Sequence, residues 1–273
     1  MNADDAVVRA AGWSPADAVA AGLAVAASLV VTDLALRLWR RGQPPFAPVT
    51  VAPVPWDGRD VAAVFLIGLS TALGAGVLLG RDAPLLRQLA VSTVASLLAT
   101  VLAVLHLRHR GADTRSLGLV CDDLPGAIRL AVAALAVVVA PLLGLAAMLD
   151  RVVPYRHPVV DLLTSRRDAW AAGLVVISAV CVAPLAEELF FRRVLQGWIE
   201  RIWPGRRAAG AAITISAAAF AAAHVGQGLA HVPLFVLGIV LGFVARQGGS
   251  LVPAILLHAL FNAVSVVLLL AGG

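Results

Sequence analysis

The chain alternates between long apolar blocks and short polar or basic connections. Each block holds about 20 residues, and a helix of that length crosses the roughly 30 Å of a hydrocarbon layer. The composition agrees, because 60% of the residues are hydrophobic, only 14% are charged and the mean hydropathy is +0.92. In lipid, a spanning segment has to satisfy its backbone polar groups internally. The blocks therefore predict an all-α, polytopic membrane protein.

The sequence predicts about eight transmembrane helices, at 15–38, 61–80, 83–107, 126–149, 169–191, 208–224, 232–246 and 251–271. Residues 1–14 precede them as an N-terminal tail, and 15–150 hold about four of the spans. The sixth and seventh spans are short and are separated by "VGQGLAHVP". We expect these two to be tilted, broken or partly re-entrant.

The formal net charge of +5 comes from arginines that lie mostly at the ends of the spans. This arrangement is typical of anchoring at lipid headgroups and excludes a nucleic-acid patch. Taken together, the connections around the ends of the first, third, fifth and seventh spans carry more arginines than the other connections, which predicts that both termini lie outside and these connections in the cytoplasm. The expected partner at this level is membrane lipid.

Two adjacent carboxylates, Glu187 and Glu188, interrupt an apolar stretch in "LAEELFFRRVL". On a helix Glu188 and Arg192 share a face, with the acid N-terminal to the base, which favours an ion pair. Pro184 should loosen or kink the helix where the carboxylates begin. A purely structural interpretation is a helix end at which arginines reach the interface and pair with the glutamates.

Two later spans carry further polar side chains at a spacing of four residues. In "FAAAH", Phe220 and His224 lie among alanines that allow close helix packing. In "HALFN", His258 and Asn262 share one face of the last span. A buried histidine and a polar contact between helices are the structural alternatives. Ionisable groups from three spans normally face one another or a water-filled cavity, which favours a common site.

"EELFFR", "FAAAH" and "HALFN", in this order and about 30 residues apart, resemble the EExxxR, FxxxH and HxxxN motifs of a family of intramembrane proteases. This is the CAAX prenyl endopeptidase and bacteriocin-processing family, called CPBP or ABI. The resemblance covers about the last 100 residues and implies a catalytic core at 169–273. It also implies an integral, multi-pass protein of a bacterial cell membrane that acts on a membrane-associated peptide or protein.

The resemblance implies a role for each motif residue. Glu187 is the base, with His224 as its partner on the attacking water, and His258 and Asn262 hold the water or the oxyanion. Glu188, Arg192 and Phe220 are supporting residues. Burial in a low-dielectric site would suit a carboxylate to act as a base near neutrality.

Two questions stay open from the sequence. Glu187, His224 and His258 would suffice as ligands of a catalytic zinc ion (Zn²⁺), but the chain has no HExxH and Asn262 would be a poor ligand, which favours a metal-free mechanism. The function could also be a proton-coupled transporter or a non-catalytic membrane protein that binds peptides or confers immunity. Against a transporter, the polar residues are confined to one half of the chain.

Overall fold

All regular elements that the computed structural model describes are helices. It describes residues 53–80, 83–153, 162, 169–203 and 206–272, together with Asp33 and Arg37. The helices are α1 Gly58–Leu79, α2 Leu85–His109, α3 Leu124–Asp150, α4 Ala169–Ile202, α5 Arg206–Ala222, α6 His231–Gly248 and α7 Val252–Gly272. The predicted tail at 1–14 and the predicted span at 15–38 lie outside the described residues, Asp33 and Arg37 excepted. The all-α prediction is confirmed.

Six of these helices are long and apolar enough to cross a membrane, and the apolar part of α5 is the shorter stretch Ala208–Ala222. Large apolar side chains cover the outside of the bundle, with exposures of 85% at Val77, 84% at Trp170 and 62% at Val267. Such a surface suits lipid rather than water. The protein is therefore an integral, multi-pass membrane protein, and the predicted number of about eight spans is compatible with these helices.

Polar contacts gather several helix ends at one end of the bundle, which we call the basic end. It comprises residues 53–60 before and in α1, the α2–α3 connection 110–123, and the ends of α4 and α6 around Glu200 and Arg246. Asp60 accepts from His106 at 3.1 Å and pairs with Arg110 at 2.9 Å. Arg246 pairs with Glu200 at 2.5 Å. The opposite end, where α1, α3 and α7 terminate, is the distal end.

Helix α4 is continuous through Pro184, but it contains two π-helical segments, Val176–Val182 and Glu188–Gln196. The N–H of Ala183 donates to the carbonyl of Ser178, five residues earlier. In the same register Ala179 would accept from residue 184, which is a proline without an N–H. Pro184 thus loosens the helix as predicted, and it leaves the Ala179 carbonyl without a donor from its own helix.

Helices α5 and α6 form an antiparallel hairpin in close contact. A Cβ added at Gly238 would lie 3.0 Å from the Cα of Ala217, so the two backbones approach as closely as a glycine permits. The hairpin begins and ends at the basic end and turns through Ala223–Ala230, which we call the tip loop. Gly226 and Gly228 in this loop have φ values of +105° and +63°, where side chains are disfavoured.

The segment before α1 is held against α4 by hydrogen bonds. Trp56 is completely buried, and its Nε1–H donates to the carbonyl of Val194 at 3.2 Å. The Arg201 guanidinium donates to the Pro55 and Trp56 carbonyls. Phe65 packs edge-on against Phe191, with ring centroids 5.6 Å apart. The N-terminal helices therefore support α4 along the stretch that follows the two glutamates.

Candidate active site

A buried charge cluster joins α4 to α7. Glu188 is completely buried and His258 is 3% exposed. One Glu188 oxygen, Oε1, lies 2.9 Å from His258 Nδ1, and the other, Oε2, lies 3.2 Å from Arg192 Nε. The second contact is an ion pair whose N–H direction does not satisfy hydrogen-bond geometry. An unpaired charge would be costly in this environment. Glu188, Arg192 and His258 therefore form one linked charge cluster.

Phe220 lies at the centre of this cluster. The Arg192 guanidinium carbon is 4.5 Å from its ring centroid, a cation–π arrangement. The rings of His224 and His258 pack edge-on against it, at centroid distances of 4.8 and 5.9 Å. The phenylalanine of the "FAAAH" motif thus contacts one residue from each of the other two motifs and fixes both histidine rings.

Glu187 lies beside the cluster and faces both histidines. Its Oε1 is 4.0 Å from His224 Nε2, and its Oε2 is 3.7 Å from His258 Nε2. The Glu187 and His224 side chains are 27% and 19% exposed, so both are accessible from outside the bundle. Distances of this size exceed a direct hydrogen bond and fit a bridging water.

The Nδ1 atoms of both histidines are engaged, which determines what the Nε2 atoms can do. His224 Nδ1 lies 2.8 Å from the Phe220 carbonyl oxygen, which can only accept, so Nδ1 carries the proton. In the neutral ring, Nε2 is then an acceptor directed at Glu187. A water that donates one proton to Glu187 and one to His224 satisfies both acceptors.

Asn262 has a different partner. Its amide nitrogen donates to the Ala179 carbonyl at 2.8 Å, which is the carbonyl that Pro184 leaves without a donor. The structure thus brings Glu187, His224 and His258 together, while the Asn262 amide nitrogen holds α7 against α4. A role for Asn262 at the water or the oxyanion stays a prediction.

The candidate zinc ligands do not form a ready metal site. Among the residues that the structure describes, no three His, Cys, Asp or Glu side chains are arranged to hold a metal ion. A carboxamide such as Asn262 is a weak zinc ligand. The metal-free mechanism therefore stays a prediction, and the reaction is derived below from water alone.

Sequence reasoning missed two contacts that shape α4 around the site. Ser216 on α5 donates to the Phe191 carbonyl at 2.7 Å, and Trp56 donates to the Val194 carbonyl. Both accepting carbonyls lie in the π-helical segment after Glu187, where the regular ladder is disturbed. The available signal was weak: a single tryptophan in a proline-rich stretch, directly before the Asp57 cap of α1.

Fold and site together define a helical, multi-pass membrane protein with a partly exposed Glu/His cluster backed by a buried ion pair. Residues 169–264 match the family described as type II CAAX prenyl endopeptidase Rce1-like. This segment, which runs from α4 into α7, is similar to that family of peptidases, and the resemblance based on the three motifs is confirmed. No curated protein and no solved structure matches the chain.

Proposed function

We propose that this protein is an intramembrane endopeptidase in which Glu187 and His224 activate a water to hydrolyse a peptide bond. The substrate is a membrane-presented or lipid-anchored polypeptide; a prenyl group is the anchor that the family description names. One observation carries the proposal. Glu187 Oε1 and His224 Nε2 face each other at 4.0 Å as two proton acceptors, because Nδ1 of His224 is bonded to the Phe220 carbonyl.

In the first step, the water oxygen attacks the carbonyl carbon of the scissile bond, and its proton passes to Glu187. The tetrahedral oxyanion needs a positive or hydrogen-bonding neighbour. His258 supplies it when its Nε2 carries a proton, since that atom faces the same Glu187 carboxylate at 3.7 Å. The C–N bond then breaks as Glu187 returns the proton to the leaving nitrogen, which gives one carboxylate and one amine.

The remaining motif residues act through these groups. Glu188 orients His258 through the 2.9 Å contact with Nδ1, and Arg192 balances the charge of Glu188. Phe220 packs against both histidine rings and stacks on Arg192. Asn262, through the Ala179 carbonyl, sets the position of α7 and therefore of His258. These are positioning roles, in which none of the four side chains needs to touch the substrate.

The experiment is a comparison of peptide N-termini in membranes from cells that express wild type, Glu187→Gln or Cys181→Ser. Cys181 lies six residues before Glu187 and is exposed on the outside of α4, so its variant is a matched control. We expect new N-termini from membrane-anchored polypeptides in wild type and in the control, and their loss in Glu187→Gln. Identical sets of N-termini in all three strains, with equal protein levels, would refute the peptidase assignment.

A further inference from the structure

The α2–α3 connection contains a turn, residues 113–118, that is closed by its own hydrogen bonds. The backbone N–H of Asp113 donates to the Ser116 hydroxyl at 2.8 Å, and the N–H of Ser116 donates to the Asp113 carboxylate at 2.6 Å. Asp113 is exposed, but Leu117 is only 1% exposed and Gly118 is buried. The second half of the turn therefore lies inside the bundle at the basic end.

Two carbonyl groups of this turn bind two different helices. The Ser116 carbonyl accepts from Nε of Arg193 on α4. The Gly118 carbonyl accepts from the backbone N–H of Leu251 at 2.8 Å. Leu251 directly precedes α7, and its own carbonyl accepts from Ile255 in the first turn of that helix at 2.9 Å. The turn therefore joins α4 to the start of α7.

The same two helices carry the contact between Glu188 and His258, at 2.9 Å. Arg193 follows Arg192, the ion-pair partner of Glu188, directly in the chain. His258 lies seven residues after Leu251, which is about 10 Å along the axis of α7. A displacement of α7 at its start therefore moves the His258 ring relative to α4.

Helix α7 is held to the rest of the bundle on both sides of His258. Asn262, four residues beyond His258, donates to the Ala179 carbonyl of α4. The Leu251 contact with the turn is the second attachment, on the opposite side of the histidine. Two attachments fix the tilt of a helix as well as its depth, whereas one would leave α7 free to pivot.

The shape of α4 at Arg193 depends on contacts with other parts of the chain. Arg193 lies in the π-helical segment Glu188–Gln196, where the regular ladder is disturbed. Trp56 and Ser216 bind two backbone carbonyls of this segment. Arg193 is 5% exposed and adds the contact to the turn. It is thus the side chain that connects this part of α4 to the attachment of α7.

Gly118 shows how closely the turn fits between the two helices. Its φ of +73° lies in the left-handed region that favours glycine. A Cβ added there would lie 3.0 Å from Cγ of Leu251 and 3.3 Å from Cδ of Arg193. Gly111, in the same connection, has a φ of +90°, but a Cβ added there would meet nothing within 4 Å. Only the glycine at 118 is needed for contact with α4 and α7.

We propose that the turn 113–118 is a positioning element for His258. Through Arg193 and Leu251 it sets the start of α7 against α4, and so it maintains the contact between Glu188 and His258. Gly118 and Arg193, which belong to none of the three motifs, are positioning residues. Their effect on turnover rests on the proposed function, whereas their effect on the His258 ring does not.

Gly118→Ala and Gly111→Ala form a matched pair, because both place a Cβ at a positive φ and only the first presses on α4 and α7. Protein in detergent, labelled with ¹³C in its histidine rings, is compared by NMR, and the His258 signal is the one lost in His258→Gln. We expect Gly118→Ala to shift the His258 signal and Gly111→Ala to leave it unchanged.

Turnover gives a second measurement, with an anchored peptide whose cleavage requires Glu187. Gly118→Ala should lower kcat about 10-fold and leave KM unchanged, because a displacement of a few tenths of an ångström misplaces His258 without removing a contact to substrate. Gly111→Ala should keep the kcat of wild type. Loss of fold alone would reduce the amount of active protein and would not shift the His258 signal of the folded fraction.

Arg193→Met repeats the test in case Gly118→Ala does not fold, since it removes the donor to Ser116 and fills the same space. Arg201→Met is its control, because Arg201 donates to the Pro55 and Trp56 carbonyls and not to the turn. We expect the His258 signal to shift in Arg193→Met and to stay in Arg201→Met.

An unchanged His258 signal in both Gly118→Ala and Arg193→Met would overturn the inference. If the signal shifts as expected but wild type shows no cleavage that depends on Glu187, the proposed function fails and the positioning role stands. If cleavage depends on Glu187 but the two glycine variants have equal kcat and equal His258 signals, the positioning role alone fails.

Discussion

The Asn262 amide nitrogen donates to the Ala179 carbonyl, and that carbonyl lacks a helical donor because residue 184 is a proline. A backbone defect in α4 is thus satisfied by a side chain of α7. The bond couples the segment before Glu187 to the helix that carries His258. It also explains why an asparagine serves at 262: the amide can donate to a carbonyl, whereas a carboxylate cannot.

This relationship predicts a measurable coupling between two positions on different helices. Asn262→Ala should lower the free energy of unfolding by about 1 kcal/mol, because it leaves the Ala179 carbonyl unbonded. Pro184→Ala restores a backbone N–H that can reach Ala179, so the effect of Asn262→Ala should be smaller in that background. A double-mutant cycle on thermal unfolding in detergent measures the difference. Additive effects of the two substitutions would show that Asn262 does not compensate for the proline.

The buried ion pair predicts a large effect on stability. Arg192→Ala removes the arginine partner of the buried Glu188 carboxylate, which should reduce the free energy of unfolding by about 3 kcal/mol. Arg115→Ala is the matched control, because Arg115 pairs with Asp122 on the surface, where both side chains are more than half exposed. Thermal unfolding in detergent should therefore show a clear decrease for Arg192→Ala and nearly none for Arg115→Ala. Equal unfolding midpoints for the two variants would contradict the buried pair.

Glu187→Gln should reduce turnover without reducing the stability of the fold. The substitution keeps the shape of the side chain and removes the proton acceptor, so turnover should fall by at least about 100-fold. The unfolding midpoint should stay close to wild type, since Glu187 is partly exposed and is not part of the ion pair. A variant that retains activity would exclude Glu187 as the base, and a variant that no longer folds would assign it a structural role.

Removal of metal should leave activity unchanged. The described residues offer no arrangement of three His, Cys, Asp or Glu side chains for a metal ion, and the proposed reaction needs none. Protein dialysed against a chelator should keep its turnover, and elemental analysis should find less than one metal ion per chain. Loss of activity on chelation that zinc restores, with zinc bound in a one-to-one ratio, would replace the water mechanism with a metal-assisted one.

Acid should loosen the α2–α3 connection at the basic end. The backbone N–H and hydroxyl of Ser116 lower the pKa of Asp113 from its ordinary value of 3.8. Because the pKa is lower in the folded state, this stabilisation is complete above that ordinary value and is lost as the pH falls through the lowered one. Unfolding midpoints measured from pH 6 downward should decrease less steeply for Asp113→Asn than for wild type. Parallel pH profiles would show that the turn does not contribute.

The sequence predicted the helices whose stabilisation is local. Apolar blocks of spanning length identified α1, α2, α3 and α7 within a few residues, since hydropathy and length determine a membrane helix. The predicted span 169–191 ends too early, because α4 continues to Ile202 through Arg192, Gln196 and Glu200. Their polar groups are satisfied by contacts with other helices, which no local pattern reveals.

The candidate site likewise contains some contacts that the sequence predicts and others that it does not. Spacings of four residues indicated the pairs Glu188–Arg192 and Phe220–His224, because residues at this spacing lie on one helix face. The Ala179 partner of Asn262 could not be predicted, since it depends on the π-helical register before Pro184. The contact from Trp56 to Val194 likewise joins residues that are remote in sequence.

The most direct test of the account is a single-turnover cleavage in water enriched in ¹⁸O, with purified protein and a membrane-anchored peptide whose cleavage requires Glu187 in cells. If Glu187 and His224 activate water that attacks the peptide carbonyl, mass spectrometry should find one ¹⁸O atom in the new carboxyl terminus of the product. Glu187 itself should contain none. An ¹⁸O atom in the Glu187 carboxylate would show that this residue attacks the peptide as a nucleophile, and would contradict the account.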